Sequence, residues 1–148
     1  MIENDIKQQL FTDGVEQLAN IAIGAMPSTP DNVIVITTAD SILTSQFNTL
    51  TNQALIPPGI TDIQQTITIT VRNTDYATGQ SKIWNAYNKL VATEYVGGQW
   101  IPRESGYKVC NNRQMFISAA QPPHYSTTDG SNRIIFVFNF VANTSRDS

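Results

Sequence analysis

The chain has 148 residues with nine basic and twelve acidic side chains, a formal net charge of -3 and a sequence pI near 4.9. That balance argues against nucleic-acid binding, which rests on clustered Lys and Arg, because the basic residues here are scattered. One cysteine, Cys110, and one histidine, His124, exclude an intrachain disulfide and a Cys/His zinc cluster built within one subunit. A domain of this length buries about 70% of its unfolded surface and needs no staple. Thr, Asn and Gln contribute 17, 13 and 11 residues against 21 formal charges and only four lysines, so the surface is polar but thinly charged and suited to contact with other subunits. Glu3 and Asp5 stand where an export signal would be basic, and the longest apolar run, Ile134 to Phe138, is far short of the roughly 20 residues that cross a bilayer. A product folded in the cytoplasm, with no membrane partner, is expected.

From Ile2 to Ala25 the apolar positions Ile2, Ile6, Leu10, Val15, Leu18, Ile21, Ala22 and Ala25 recur at helical spacing. Thr12-Asp13-Gly14 interrupts them, predicting a kinked helix or two short helices before Pro27 and Pro30 end the run. Val33 to Thr38 is β-branched and predicts a strand. Between Ile63 and Val71 apolar and Thr/Gln residues alternate, as on a half-solvated antiparallel strand. Asn73-Thr74-Asp75 offers an N-cap to a second helix whose buried stripe is Tyr76, Ile83, Tyr87, Leu90 and Val91, closed by Gly97-Gly98. Gly106 to Ala119 reads as a strand with an irregularity at Asn111-Asn112, followed by a Pro122-Pro123 loop and an Asp129-Gly130-Ser131 turn. The last strand sets Ile134, Phe136, Phe138 and Phe140 on one face and Ile135, Val137, Asn139 and Val141 on the other, so it belongs in a central or covered position. This order predicts an α+β fold, a mainly antiparallel sheet of four or more strands with two helices on one face, in a single domain spanning 1–148.

Residues 41–61 contain no charge yet carry Ile42, Leu43, Phe47, Leu50, Leu55, Ile56 and Ile60. A connection this long and apolar either packs on the domain's own core or is buried only against a neighbouring subunit. Leu43, Phe47, Leu50, Leu55 and Ile56 are therefore candidate interface residues. Arg72 ends a strand and Asp75 starts a helix three residues later, so a bidentate pair or an Arg-to-carbonyl clamp could fix the turn, with a direct interface contact as the alternative.

The residues offer no catalytic constellation. His124 lies between Pro123 and Tyr125 with no nucleophile assigned to it, Cys110 lacks a basic cluster, and Glu94, Glu104, Asp62, Asp75 and Asp129 form no recognisable acid/base pair. The glycines lack the context of a phosphate loop. Trp84, Trp100, Tyr76 and Tyr107 read as core and interface aromatics. Neither cofactor nor metal is expected, and an enzyme reading would need a site shared between subunits.

The run ITITVRNTDYATGQSKIWNAYNKL, Ile67 to Leu90, resembles the tail-terminator and tail-completion (minor capsid) proteins of long-tailed bacteriophages, in which a strand ending in Val-Arg is followed by an Asp-Tyr turn and an amphipathic helix. Val71-Arg72 and Asp75-Tyr76 hold those positions. QPPHYSTTDGSNRIIFVFNFVAN resembles the family's C-terminal part, where a strand ends in an Asn-Phe pair, here Asn139-Phe140. The resemblance spans residues 1–25 and 63–143; the uncharged segment 41–61 is longer than its counterpart in the family. It implies a virion protein of the head-tail junction, made in the host cytoplasm, that forms a homo-oligomeric ring, usually a hexamer. Such a ring caps the tail tube, stops its polymerisation and meets the head connector or stopper protein. DNA would pass through without specific binding. The alternatives are a head-completion or stopper protein of the same junction, and a small ligand-binding module in which 41–61 is a pocket lid; a hydrolase using His124 is more distant.

Overall fold

The computed structural model describes residues 2–43, 62–91, 94–96, 99–101, 106–111 and 113–145. Helix α1 is Ile2–Thr12 and buries Ile2, Ile6 and Leu10 at the predicted spacing. It neither kinks nor resumes. Gly14 takes a left-handed φ of 75°, its N–H donates to the Phe11 carbonyl, and the Val15 N–H reaches back to that of Leu10 at 2.9 Å. These two bonds form a Schellman stop, whose hydrophobic closure is the buried pair Val15 and Leu10. The remaining apolar positions of the expected helix go instead into a 3-10 turn, Leu18–Asn20, and a short strand β1, Ile21–Ile23.

Strand β1 pairs in parallel with β2, Val33–Leu43, which pairs antiparallel with β3, Asp62–Asn73. Helix α2, Tyr76–Leu90, follows, with Val91 as its C-cap; the Gly97-Gly98 stop predicted for it lies outside the described residues. A small hairpin, β4 (Glu94–Val96) and β5 (Gln99–Ile101), precedes β6, Gly106–Cys110, β7, Arg113–Thr128, and β8, Ile134–Ser145. The main sheet has six strands in the order β1-β2-β3-β8-β7-β6, antiparallel except at β1, which with the two helices makes an α+β fold.

The alternations read from sequence set the layers. Ile34 and Ile36 of β2, Ile67, Ile69 and Val71 of β3, and Phe136, Phe138 and Phe140 of β8 are buried in one cluster with Ile6 and Leu10 of α1 and Ile83, Tyr87 and Leu90 of α2. Tyr87 meets Phe138 edge-on at 5.3 Å between ring centres. Strand β8 lies between β3 and β7, the central position its two apolar faces require.

Two predicted irregularities resolve differently. The one at Asn111 is the turn of a β6–β7 hairpin: Cys110 pairs with Arg113, and Asn111 has φ 48°, a conformation asparagine tolerates. Pro122-Pro123 is not a loop but lies within β7, where the register with β8 shifts between Gln121 and His124. Two residues there, Pro122 and Pro123, oppose one, Phe138, so the prolines, which have no N–H for the ladder, sit in a bulge.

Candidate functional site

Of the expected interface residues, Phe47, Leu50, Leu55 and Ile56 lie outside the described residues, and Leu43 is described only as the last residue of β2. Arg72 and Asp75 are both placed. Arg72 is 2% exposed and takes the carbonyl-clamp form: Nε donates to the Asp31 carbonyl at 3.0 Å, and Nη2 to those of Pro30 and Ser28. Burial, and then the neighbouring Arg133, disfavour its charge, while Asp129 and Asp31 support it. Arg133 completes the clamp by donating to the Ser28 carbonyl at 2.8 Å and pairing with Asp31 and Asp129. The loop between β1 and β2 is thereby fastened to the ends of β3 and β8.

Asp75 is occupied separately as the α2 N-cap, accepting the Thr78 N–H at 2.9 Å and the Thr78 hydroxyl at 2.6 Å. Those bonds, the hydroxyl first, hold its carboxyl below the usual range. The same turn brings Gly79 onto the sheet, where an added Cβ would lie 3.1 Å from both Asn73 Cβ and the Phe136 ring.

Two of the aromatics expected in the core or at an interface, Tyr76 and Trp84, are exposed. Seven large apolar side chains are exposed among the described residues. Phe11, Leu18, Ile23 and Met26 lie between the end of α1 and the exit of β1, while Tyr76, Trp84 and Tyr125 lie on α2 and β7, with Tyr76 and Tyr125 rings 6.4 Å apart. Tyr76, expected in the buried stripe, is 49% exposed because it opens α2 and caps the edge of Phe136 rather than entering the core.

Chemistry is sparse among the described residues. No three His, Cys, Asp or Glu side chains gather as a metal site. His124 is exposed, its Nδ1 3.2 Å from the Pro122 carbonyl, and Cys110 is buried with its thiol donating to the Asp5 carbonyl. An open cleft of about 390 Å³ beside α2 is lined by Val15, Ala77, Thr78, Ser81, Lys82 and Asn85. Its one ionisable group, Lys82, is paired with Glu16, so ionisable side chains do not converge there. No described helix is long and apolar enough to cross a membrane.

The fold is shared with a chain from the virion of a native gene transfer agent particle, at a TM-score of 0.50 and 10% identity, over 97% of this chain and 94% of that one. No curated protein sequence matches the chain. The family model described as bacteriophage tail terminator protein matches residues 6–146, almost the entire length, and the chain therefore belongs to the bacteriophage tail terminator family.

Proposed function

We propose that this phage tail structural protein acts, as a single tail-terminator-like domain, by closing into a ring that caps the tail tube, stops its polymerisation and joins it to the head connector. The observation that carries the reading is the family match over residues 6–146. A cap requires no reactive group; it requires a heterologous contact that closes by rotation, one surface for the tube and another for the connector. The thin charge and the exposed apolar side chains suit that task. The uncharged residues 41–61, with Leu43, Phe47, Leu50, Leu55 and Ile56, supply contacts to the tube or to neighbouring subunits. Arg72 and Asp75 serve assembly indirectly, by fixing the loop and helix that flank the contact surfaces. With an acidic net charge, a ring of this chain passes DNA without gripping it.

Electron microscopy of particles assembled without the protein tests the proposal. Tails of irregular, excessive length that fail to join heads are expected, and restoring the protein should return uniform joined tails. Normal tails in its absence would refute the capping role.

A further inference from the structure

Strand β7 keeps regular register where strands flank it on both sides and loses it where only one does. Strand β6 pairs with Arg113 to Ile117 without a shift. Past Ile117, among the described residues, no strand pairs with the outer edge of β7. It is there that its register against β8 slips three times, between Ile117 and Ala119, between Gln121 and His124, and between Tyr125 and Thr127. Strand β8 is not the source of the irregularity, because its other side runs in unbroken register with β3 from the Asp62 and Ser145 pair to the Asn73 and Ile134 pair. The bulges belong to β7, and to the part of it that forms an edge.

The same stretch carries Pro122-Pro123 and lies open to solvent: Gln121, Pro122 and His124 to Thr128 are exposed, on both faces of the strand. No acidic residue, lysine or arginine occurs from Gln114 to Thr128, so the charge that commonly protects a sheet edge is missing. With Tyr125, Thr127 and Thr128, all strand formers, a straight edge here would be a template for a further strand. Successive N–H groups of a straight strand point to opposite sides, so two consecutive prolines leave a donor missing on whichever side a strand approaches. The bulges bend and twist the rest of the edge away from a regular ladder.

We propose that β7 beyond Ile117 is a guarded edge: its three bulges and Pro122-Pro123 keep a second copy of this chain from adding its own β7 to the sheet. The inference goes beyond the ring reading and does not depend on it. Edge-to-edge pairing needs only backbone groups, so it would join copies without regard to the side chains that make a specific contact, and it leads to aggregation. In this chain backbone irregularity supplies the protection that charge does not, and it does so only along the run that β6 leaves uncovered.

The test uses the full chain and reads size by analytical ultracentrifugation over a concentration series, with hydrogen exchange followed at the amides of residues 119–128 that do not pair with β8. Two variants remove the guard independently: Pro122→Thr with Pro123→Val restores the missing donors, and deletion of Ser126 removes the last register shift and leaves the prolines in place. Each should associate into species larger than the wild type forms at the same concentration, with exchange at those amides slowed in the associated state. Adding Thr127→Lys to the proline variant should return it to wild-type size, because a charge on the edge takes over the guard. Folded variants that keep the wild-type size, or that associate with exchange at 119–128 unchanged, overturn the proposal. So does the wild-type chain if these amides become protected in any assembly it forms, a reading that holds even if neither variant folds. Failure of the guard in these measurements leaves the ring reading untouched, since ring formation is read separately on tail tubes.

Discussion

Arg72 and Arg133 converge on one acceptor, the carbonyl oxygen of Ser28, at 3.5 and 2.8 Å from the same end of the sheet's two central strands, where β3 finishes beside the start of β8. Two like charges share that point because Asp31 and Asp129 stand beside them and because the loop carbonyls need donors. The arrangement ties the β1–β2 loop, and with it the placement of β1, to the centre of the fold.

Arg72→Leu removes the donor to the Asp31 and Pro30 carbonyls and should lower stability by about 1–3 kcal/mol, measured by chemical denaturation. Arg72→Lys should recover only part of it, since an ammonium cannot reproduce the planar fork. A variant as stable as wild type would show that the clamp is dispensable.

Asp75→Ala deletes the α2 cap and should lower the denaturation midpoint, whereas Asp75→Asn should lower it less. The comparison separates capping from charge, because only the alanine variant lacks an acceptor for the Thr78 N–H.

Gly79→Val would push the first turn of α2 off Phe136 and Asn73. Overpacking at a site this close typically costs about 1–3 kcal/mol, so the melting temperature should fall, with the Phe136 ring environment changed in aromatic NMR signals.

Acid should weaken the fold through carboxylates that are better held folded than unfolded. Burial opposes ionisation of Glu16, but bonds from Lys82 and the Gln17 N–H outweigh it; burial likewise opposes ionisation of Asp129, outweighed by Arg133 and Ser131. Thr78 does the same for Asp75 without that opposition dominating. Each folded value is depressed, so the stabilisation is complete above the unfolded carboxylate range of about 3.9–4.3 and disappears as pH falls through the lower folded values. Denaturation midpoints should be flat near neutrality and drop below about pH 4, and the drop should shrink in Glu16→Gln.

How much was legible in sequence follows from how local each signal is. The alternation in β3, the Asp75 cap and the α2 stripe at Ile83, Tyr87 and Leu90 depend on neighbours within a few residues, and the structure places them as read. Strand β1 was hidden because Val15, Leu18, Ile21 and Ala22 keep helical spacing, while what decides their conformation is the Schellman stop at Gly14 and a parallel pairing with Ile34 to Ile36. Pro122-Pro123 misled for a similar reason: a bulge against Asn139 and Val137 accommodates prolines that local rules send to loops. Of the candidate site, Arg72 was read with both its clamp and pairing forms open, and the clamp requires carbonyls some forty residues earlier in the chain. The aromatic surface at Tyr125 depends on sheet order and could not be seen from spacing.

The claim on which the rest depends is that this chain terminates tube growth by assembling on the tube's end. Purified tail tube protein polymerised with increasing amounts of the chain, and imaged for tube length and end density, tests it most directly. A ring-shaped density on one end, with tubes that stop elongating once it is present, is the predicted result; tubes that grow to the same lengths with bare ends at every ratio would contradict the account.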